Sequence, residues 1–126
     1  MSTAYFIVLN NEDIVFDPFV NGKFIAQAAG KINAISNNLG LKSIDDFVSQ
    51  GLGDLELDYA DLERFESKWF DPVEGLKWAS KIREHVLNNP EVVKNKDGVL
   101  EDLDEYMSVF EKAKKVNAQW HFEIDF

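Results

Sequence analysis

The residues best suited to chemistry are His121, Glu123 and Asp125, spaced by two within Trp120-His121-Phe122-Glu123-Ile124-Asp125-Phe126. In an extended strand that spacing puts all three on one face. A neutral imidazole and two carboxylates make a donor set for Mn, Fe(II) or Zn, so one reading is a small metal-dependent enzyme or metal-binding protein. Same-face neighbours along a strand stand roughly 7 Å apart, however, and three in a row reach one ion only with a bulge. The competing reading is the solvated face of a half-buried sheet, and no metal ligand is assigned. His85, the only other histidine, falls in the last turn of a helix, where a cation favours the exposed carbonyls.

Other motifs fail on specific positions. Asp54, Glu56 and Asp58 have the 1-3-5 spacing of a calcium loop, but Tyr59 replaces its turn glycine and Phe65 its bidentate Glu. Asn95, Asp97, Gly98 and Asp104 fit a second such loop, except that Val93 stands at its first position. Gly51-Leu52-Gly53 lacks the third glycine and the lysine of a phosphate loop. No serine sits in an elbow sequence, and there is no cysteine to act as nucleophile or thiolate ligand. No catalytic residue and no cofactor are expected.

The elements that must position these side chains follow from periodicity. Thr3–Leu9 is β-branched and aromatic on both alternating faces, which predicts a strand covered on two sides. The terminal Trp120–Phe126 alternates strictly, predicting a half-buried strand whose obvious neighbour is the first. Ile25, Ala28, Ala29, Ile32, Ile35 and Leu39 recur at helical spacing after Asp17-Pro18 or Asn21-Gly22, and Gly40 stops them. A short helix is expected from Ser43. Residues 54–70 read as a short helix near 59–63 followed by a strand near 65–70. Asp71-Pro72-Val73-Glu74 predicts a capping box, Asp71 accepting from the Glu74 amide, with the helix running to Leu87 before Pro90. A last helix opens near Asp97-Gly98 on the stripe Leu100, Leu103, Met107 and Phe110. Its acids Glu101, Asp102, Asp104 and Glu105 lie at the positive end, and Lys112, Lys114 and Lys115 at the negative end. The expectation is one α+β domain over residues 1–126: a small antiparallel sheet holding both terminal strands, packed against three long amphipathic helices.

Composition narrows the function. The 126 residues are 45% apolar, enough for one core, and include 16 aromatics (ten Phe, three Trp, three Tyr). Thirteen basic against 23 acidic residues leave a net charge of −10, which opposes nucleic acid and anionic membrane as partners. The apolar run Tyr5–Leu9 is too short to span a bilayer or to form a signal-peptide core, and absent cysteines suit a cytoplasmic setting. Residues 54–66 hold Asp54, Glu56, Asp58, Asp61, Glu63 and Glu66 against a single base, Arg64. They read as a solvated face or as a landing surface for a basic protein, and are the candidate binding residues. Residues 1–40 carry only Glu12, Asp13, Asp17, Lys23 and Lys31, so the first long helix presents a neutral face with Gln27, Asn33, Ser36 and Asn37. Such a face suits burial under the acidic segment or contact with a second copy, leaving monomer and homodimer both open.

Three stretches, Phe16-Asp17-Pro18-Phe19-Val20-Asn21-Gly22-Lys23, Trp69-Phe70-Asp71-Pro72-Val73-Glu74-Gly75-Leu76 and Trp120–Phe126, resemble segments of a group of small bacterial proteins with no assigned activity. The resemblance implies a bacterial, cytoplasmic protein and brings no site residues with it. The functional expectation is therefore a non-enzymatic binding protein, inhibitor- or immunity-like, that neutralises a basic protein partner.

Overall fold

Apolar alternation at the two ends of the chain produces two strands that complete each other. The computed structural model describes residues 4–11, 16, 18, 20, 22–49 and 68–125. Strand β1 (Ala4–Leu9) pairs antiparallel with β2 (Trp120–Asp125), Ala4 opposite Asp125 and Leu9 opposite Trp120. Tyr5 and Ile7 share one face with Trp120 and Phe122, and all four are buried under the helices. The architecture is α+β, with a two-stranded sheet among the described residues.

The far edge of β2 is not left open. Phe70 N–H donates to the Trp120 carbonyl at 2.8 Å and the Phe70 carbonyl accepts from Trp120 N–H at 3.0 Å, while Ser49 N–H donates to the Phe122 carbonyl at 3.1 Å. The strand anticipated near 65–70 thus appears as a single antiparallel bridge at Phe70. Residues 65–67, like the helix anticipated at 59–63, lie outside the described residues.

The first helical stretch is divided. Helix α1 (Lys23–Gln27) and helix α2 (Ala29–Asn38) meet at Ala28, whose N–H is shared between the carbonyls of Phe24 and Ile25, both at 3.1 Å. Gly40 ends α2 as its sequence requires, at φ 70°, with Gly40 N–H on Asn37 and Leu41 N–H on Ser36 carbonyls. The short helix expected from Ser43 is a single 3-10 turn, Asp45–Phe47.

Helix α3 (Pro72–Asn88) starts at Asp71, but the cap differs from the capping box. The Asp71 carboxylate accepts from Val73 N–H at 2.8 Å, and Glu74 turns outward to pair with Lys42 at 2.9 Å. With Pro72 at the first helical position, one fewer amide needs a partner. Helix α4 (Lys96–Lys115) opens one residue before Asp97, because the Asn95 side chain accepts from Gly98 N–H at 3.0 Å. Helices α3 and α4 pack on each other and approach closely where Gly75 meets the Phe110 ring. No helix among the described residues is long and apolar enough to cross a membrane.

Between helices and sheet sits an aromatic core of Phe47, Trp78, Tyr106, Phe110, Trp120 and Phe122, each at most 1% exposed. Trp120 and Phe122 stand edge-to-face at 4.9 Å and 79°, a favoured geometry for aromatic pairs. The polar ends are satisfied: Trp78 Nε1 donates to the Lys42 carbonyl at 3.1 Å, and Trp120 Nε1 to the Asp71 carbonyl at 3.1 Å. Two polar links tie α4 to α1 and to β1. The Asp102 carboxylate of α4 accepts from the N–H groups of Phe24 (2.9 Å) and Ile25 (3.0 Å), and Tyr106 Oη donates to the Tyr5 carbonyl at 2.6 Å.

Candidate functional site

On the face of β2 turned away from the helices, His121 and Glu123 meet each other. His121 Nε2 lies 2.8 Å from Glu123 Oε2, and His121 Nδ1 lies 3.0 Å from the Lys68 carbonyl. The Trp69 ring stacks on the imidazole at 4.1 Å and 27°. This stack follows from the Phe70–Trp120 bridge, which sets Trp69 beside His121 across the strand edge. His121 is only 2% exposed, so the expected solvated face does not hold at this position. The covering comes from Trp69 and the backbone at Lys68.

Each ring nitrogen faces an oxygen within hydrogen-bond distance, a backbone carbonyl at Nδ1 and a carboxylate at Nε2. Both ring nitrogens are thereby engaged, and a metal at Nε2 would have to displace Glu123. Asp125 continues β2 opposite Ala4, and among the described residues no three His, Cys, Asp or Glu side chains gather around a common point. The pair tests simply. Glu123→Ala is expected to lower stability by about 1–2 kcal/mol, while Glu123→Gln, whose amide keeps a hydrogen-bond partner at Nε2, loses less than half of that. Equal losses in urea denaturation would show that the hydrogen bond at Nε2 contributes nothing to stability.

A second constellation lies elsewhere, in a cleft of about 660 Å³ between α1–α2 and the connection from α3 to α4. Phe24, Ala28, Ile35, Val92, Val93 and Val99 give it apolar walls, and Lys31, Asn38, His85, Glu91, Lys94 and Asn95 its polar rim. His85 occupies the last turn of α3 as expected, but it also borders this cleft. Comparison with protein-family models, curated proteins and solved structures finds no match. The chain's own residues therefore carry the functional argument.

The six candidate carboxylates Asp54, Glu56, Asp58, Asp61, Glu63 and Glu66 lie outside the described residues. The structure places the residues that flank them: Lys68 N–H donates to Ser49 Oγ at 2.7 Å, which ties the two flanks together at the β2 edge. The neutral face read on the first long helix is partly consumed within the fold. Ser36 is fully buried, and Asn33 accepts from Ile44 N–H at 2.8 Å and donates to Asp45 at 3.3 Å. Gln27 and Asn37 stay exposed. Sequence reasoning missed the cleft. Its only trace is the spacing of Phe24, Ala28, Lys31, Ile35 and Asn38, one helical face with a lysine in its middle. Nothing in the sequence brings Lys94 to that face.

Proposed function

We propose that this chain is a small acidic binding protein, without catalytic activity of its own, that recognises a basic protein partner in the manner of an inhibitor or immunity protein. The carboxylates at 54–66 are its recognition element, with the exposed acids of α4 as a second contribution. The observation that carries the reading is the acidic excess, a net charge of −10, concentrated in a stretch whose flanking residues are pinned to each other and to β2. On α4, Asp97, Glu101, Asp104 and Glu105 border a shallow groove floored by Leu100, where Arg83 is the single base and is taken by Asp104 at 2.7 Å. The Glu105 carboxyl is raised above its ordinary value, by partial burial first and then by the neighbouring Asp102 and Glu101 charges. That repulsion is relieved when a cation arrives. In a bacterial cytoplasm, the setting we propose, a basic toxin domain or a nucleic-acid-binding protein has the complementary charge.

The test is capture of basic proteins on the immobilised chain across a salt series. Capture is expected to fall steeply as ionic strength rises. It is also expected to fail when Asp54, Glu56, Asp58, Asp61, Glu63 and Glu66 are replaced by their amides. Capture indifferent to salt, or unchanged in the amide variant, would remove the proposal.

A further inference from the structure

The cleft between α1–α2 and the α3–α4 connection has the properties of a ligand site that the acidic surface does not explain. Its volume, about 660 Å³, falls within the range of small-molecule pockets, and its walls are side chains without hydrogen-bonding groups. Its rim concentrates positive charge in a strongly acidic protein: Lys31 and Lys94 stand on it against the single carboxylate Glu91. In the groove on α4 the base Arg83 is paired with Asp104; beside Trp78, Lys42 is paired with Glu74 while Lys77 makes no ion pair among the described residues. Lys31 and Lys94 make no ion pair with any carboxylate among the described residues.

We propose that this cleft binds a small amphipathic monoanion, an aliphatic or aryl carboxylate whose apolar body lies on Phe24, Ala28, Ile35 and Val99 and whose carboxylate is held between Lys31 and Lys94. The ligand is a free molecule: acidic surroundings repel an anionic bilayer but leave a single carboxylate within reach of two ammonium groups. Asn38, Asn95 and His85 stand on the same rim to accept or donate to a second polar group.

Octanoate is the probe, followed by amide chemical shifts of the whole chain. Saturable shifts confined to residues 24–38 and 85–99 are expected, with Kd on the order of 0.1–1 mM. The neutral octanol and the cationic octylammonium are expected to bind at least about tenfold more weakly. Lys31→Glu combined with Lys94→Glu should weaken octanoate by at least about tenfold while leaving the melting temperature close to that of the parent. Ala34→Trp, at an exposed position lining the cleft, should block binding by filling it. Equal affinity for the three probes, shifts scattered over the surface, or binding unchanged by Ala34→Trp would overturn the proposal. So would co-sedimentation with anionic vesicles, or a concentration-dependent species heavier than 14.4 kDa that protects the same amides, since a bilayer or a second copy would then be the occupant.

Discussion

Replacing Gly22 by alanine is expected to destabilise the fold by about 3–5 kcal/mol, the largest effect of a methyl added at any of the described glycines. Two separate penalties meet at this residue. Gly22 sits at φ 60°, in the left-handed region, immediately before α1. A side chain there costs roughly 1–2 kcal/mol before any neighbour is considered. A Cβ would also fall on the Tyr5 carbonyl oxygen and the Tyr106 hydroxyl, the two atoms that hydrogen-bond each other at 2.6 Å. The first belongs to the backbone of β1 and the second to a fully buried ring, so neither can swing away. The methyl has to push α1 from the sheet or break the Tyr106–Tyr5 bond and leave a buried carbonyl without its donor. Urea denaturation should show a lower midpoint with an unchanged slope. A loss under about 1 kcal/mol would mean that the close approach of Gly22 to β1 is absent in solution. By contrast, Gly30, exposed and with open space around its position, should accept alanine without loss, or with a small gain from helix propensity.

Periodicity predicted which stretches become helix or strand, and it did so where one face is apolar throughout. Strict alternation at Trp120–Asp125 and the Asp71-Pro72 start of α3 are local signals, and each emerges within a residue or two of its expected place. What periodicity could not report is where a lone polar side chain on an apolar face finds its partner. Ser36 sits one residue after Ile35 and four after Ile32, and it is fully buried, donating to the Ile32 carbonyl at 3.0 Å. His121 has Lys68 and Trp69 as neighbours, more than fifty residues away, so its alternation with Trp120 and Phe122 signalled a polar face but not a covered one. Asp102 belongs to the same class. Its sequence position groups it with Glu101, Asp104 and Glu105 as an acid at the positive end of α4, yet Val99, Leu103, Tyr106 and Phe110 share its inward face and are buried. An acid at a core position of an amphipathic helix signals a buried donor elsewhere, and the identity of that donor is a property of the tertiary fold. The cleft was invisible for the same reason, since Lys31 and Lys94 come to border one cleft only after α1–α2 and the α3–α4 connection have packed.

Asp102→Ala is therefore expected to cost about 3 kcal/mol, more than removal of an ordinary helix cap. Gly22 has no side chain with which to cap α1, and the amides of Phe24 and Ile25 depend on the Asp102 carboxylate contributed by α4. Alanine leaves both N–H groups without an acceptor next to a residue that is 3% exposed, where water does not readily replace it. Asp102→Asn keeps an acceptor oxygen and is expected to lose about 1 kcal/mol or less. The two variants should also differ from the parent in their response to pH. Burial raises the Asp102 carboxyl above its ordinary value, outweighing the two amide hydrogen bonds that favour the charged form, and Glu101 adds to the rise. Between the unfolded value, near 3.9, and the higher native one, the folded protein holds a proton that the unfolded chain has released. Stability from this group is thus greatest on the acid side of that window and declines as pH rises through it, opposite to a salt-bridged carboxylate. The gap between parent and Asp102→Asn should be wider at mildly acidic pH than at neutrality, because only the parent gains from protonation. Denaturation curves measured across that range give the sign directly. A gap that narrows on acidification would mean that the carboxylate caps α1 as a solvated ion, and that α1 is not sealed against α4 at this point.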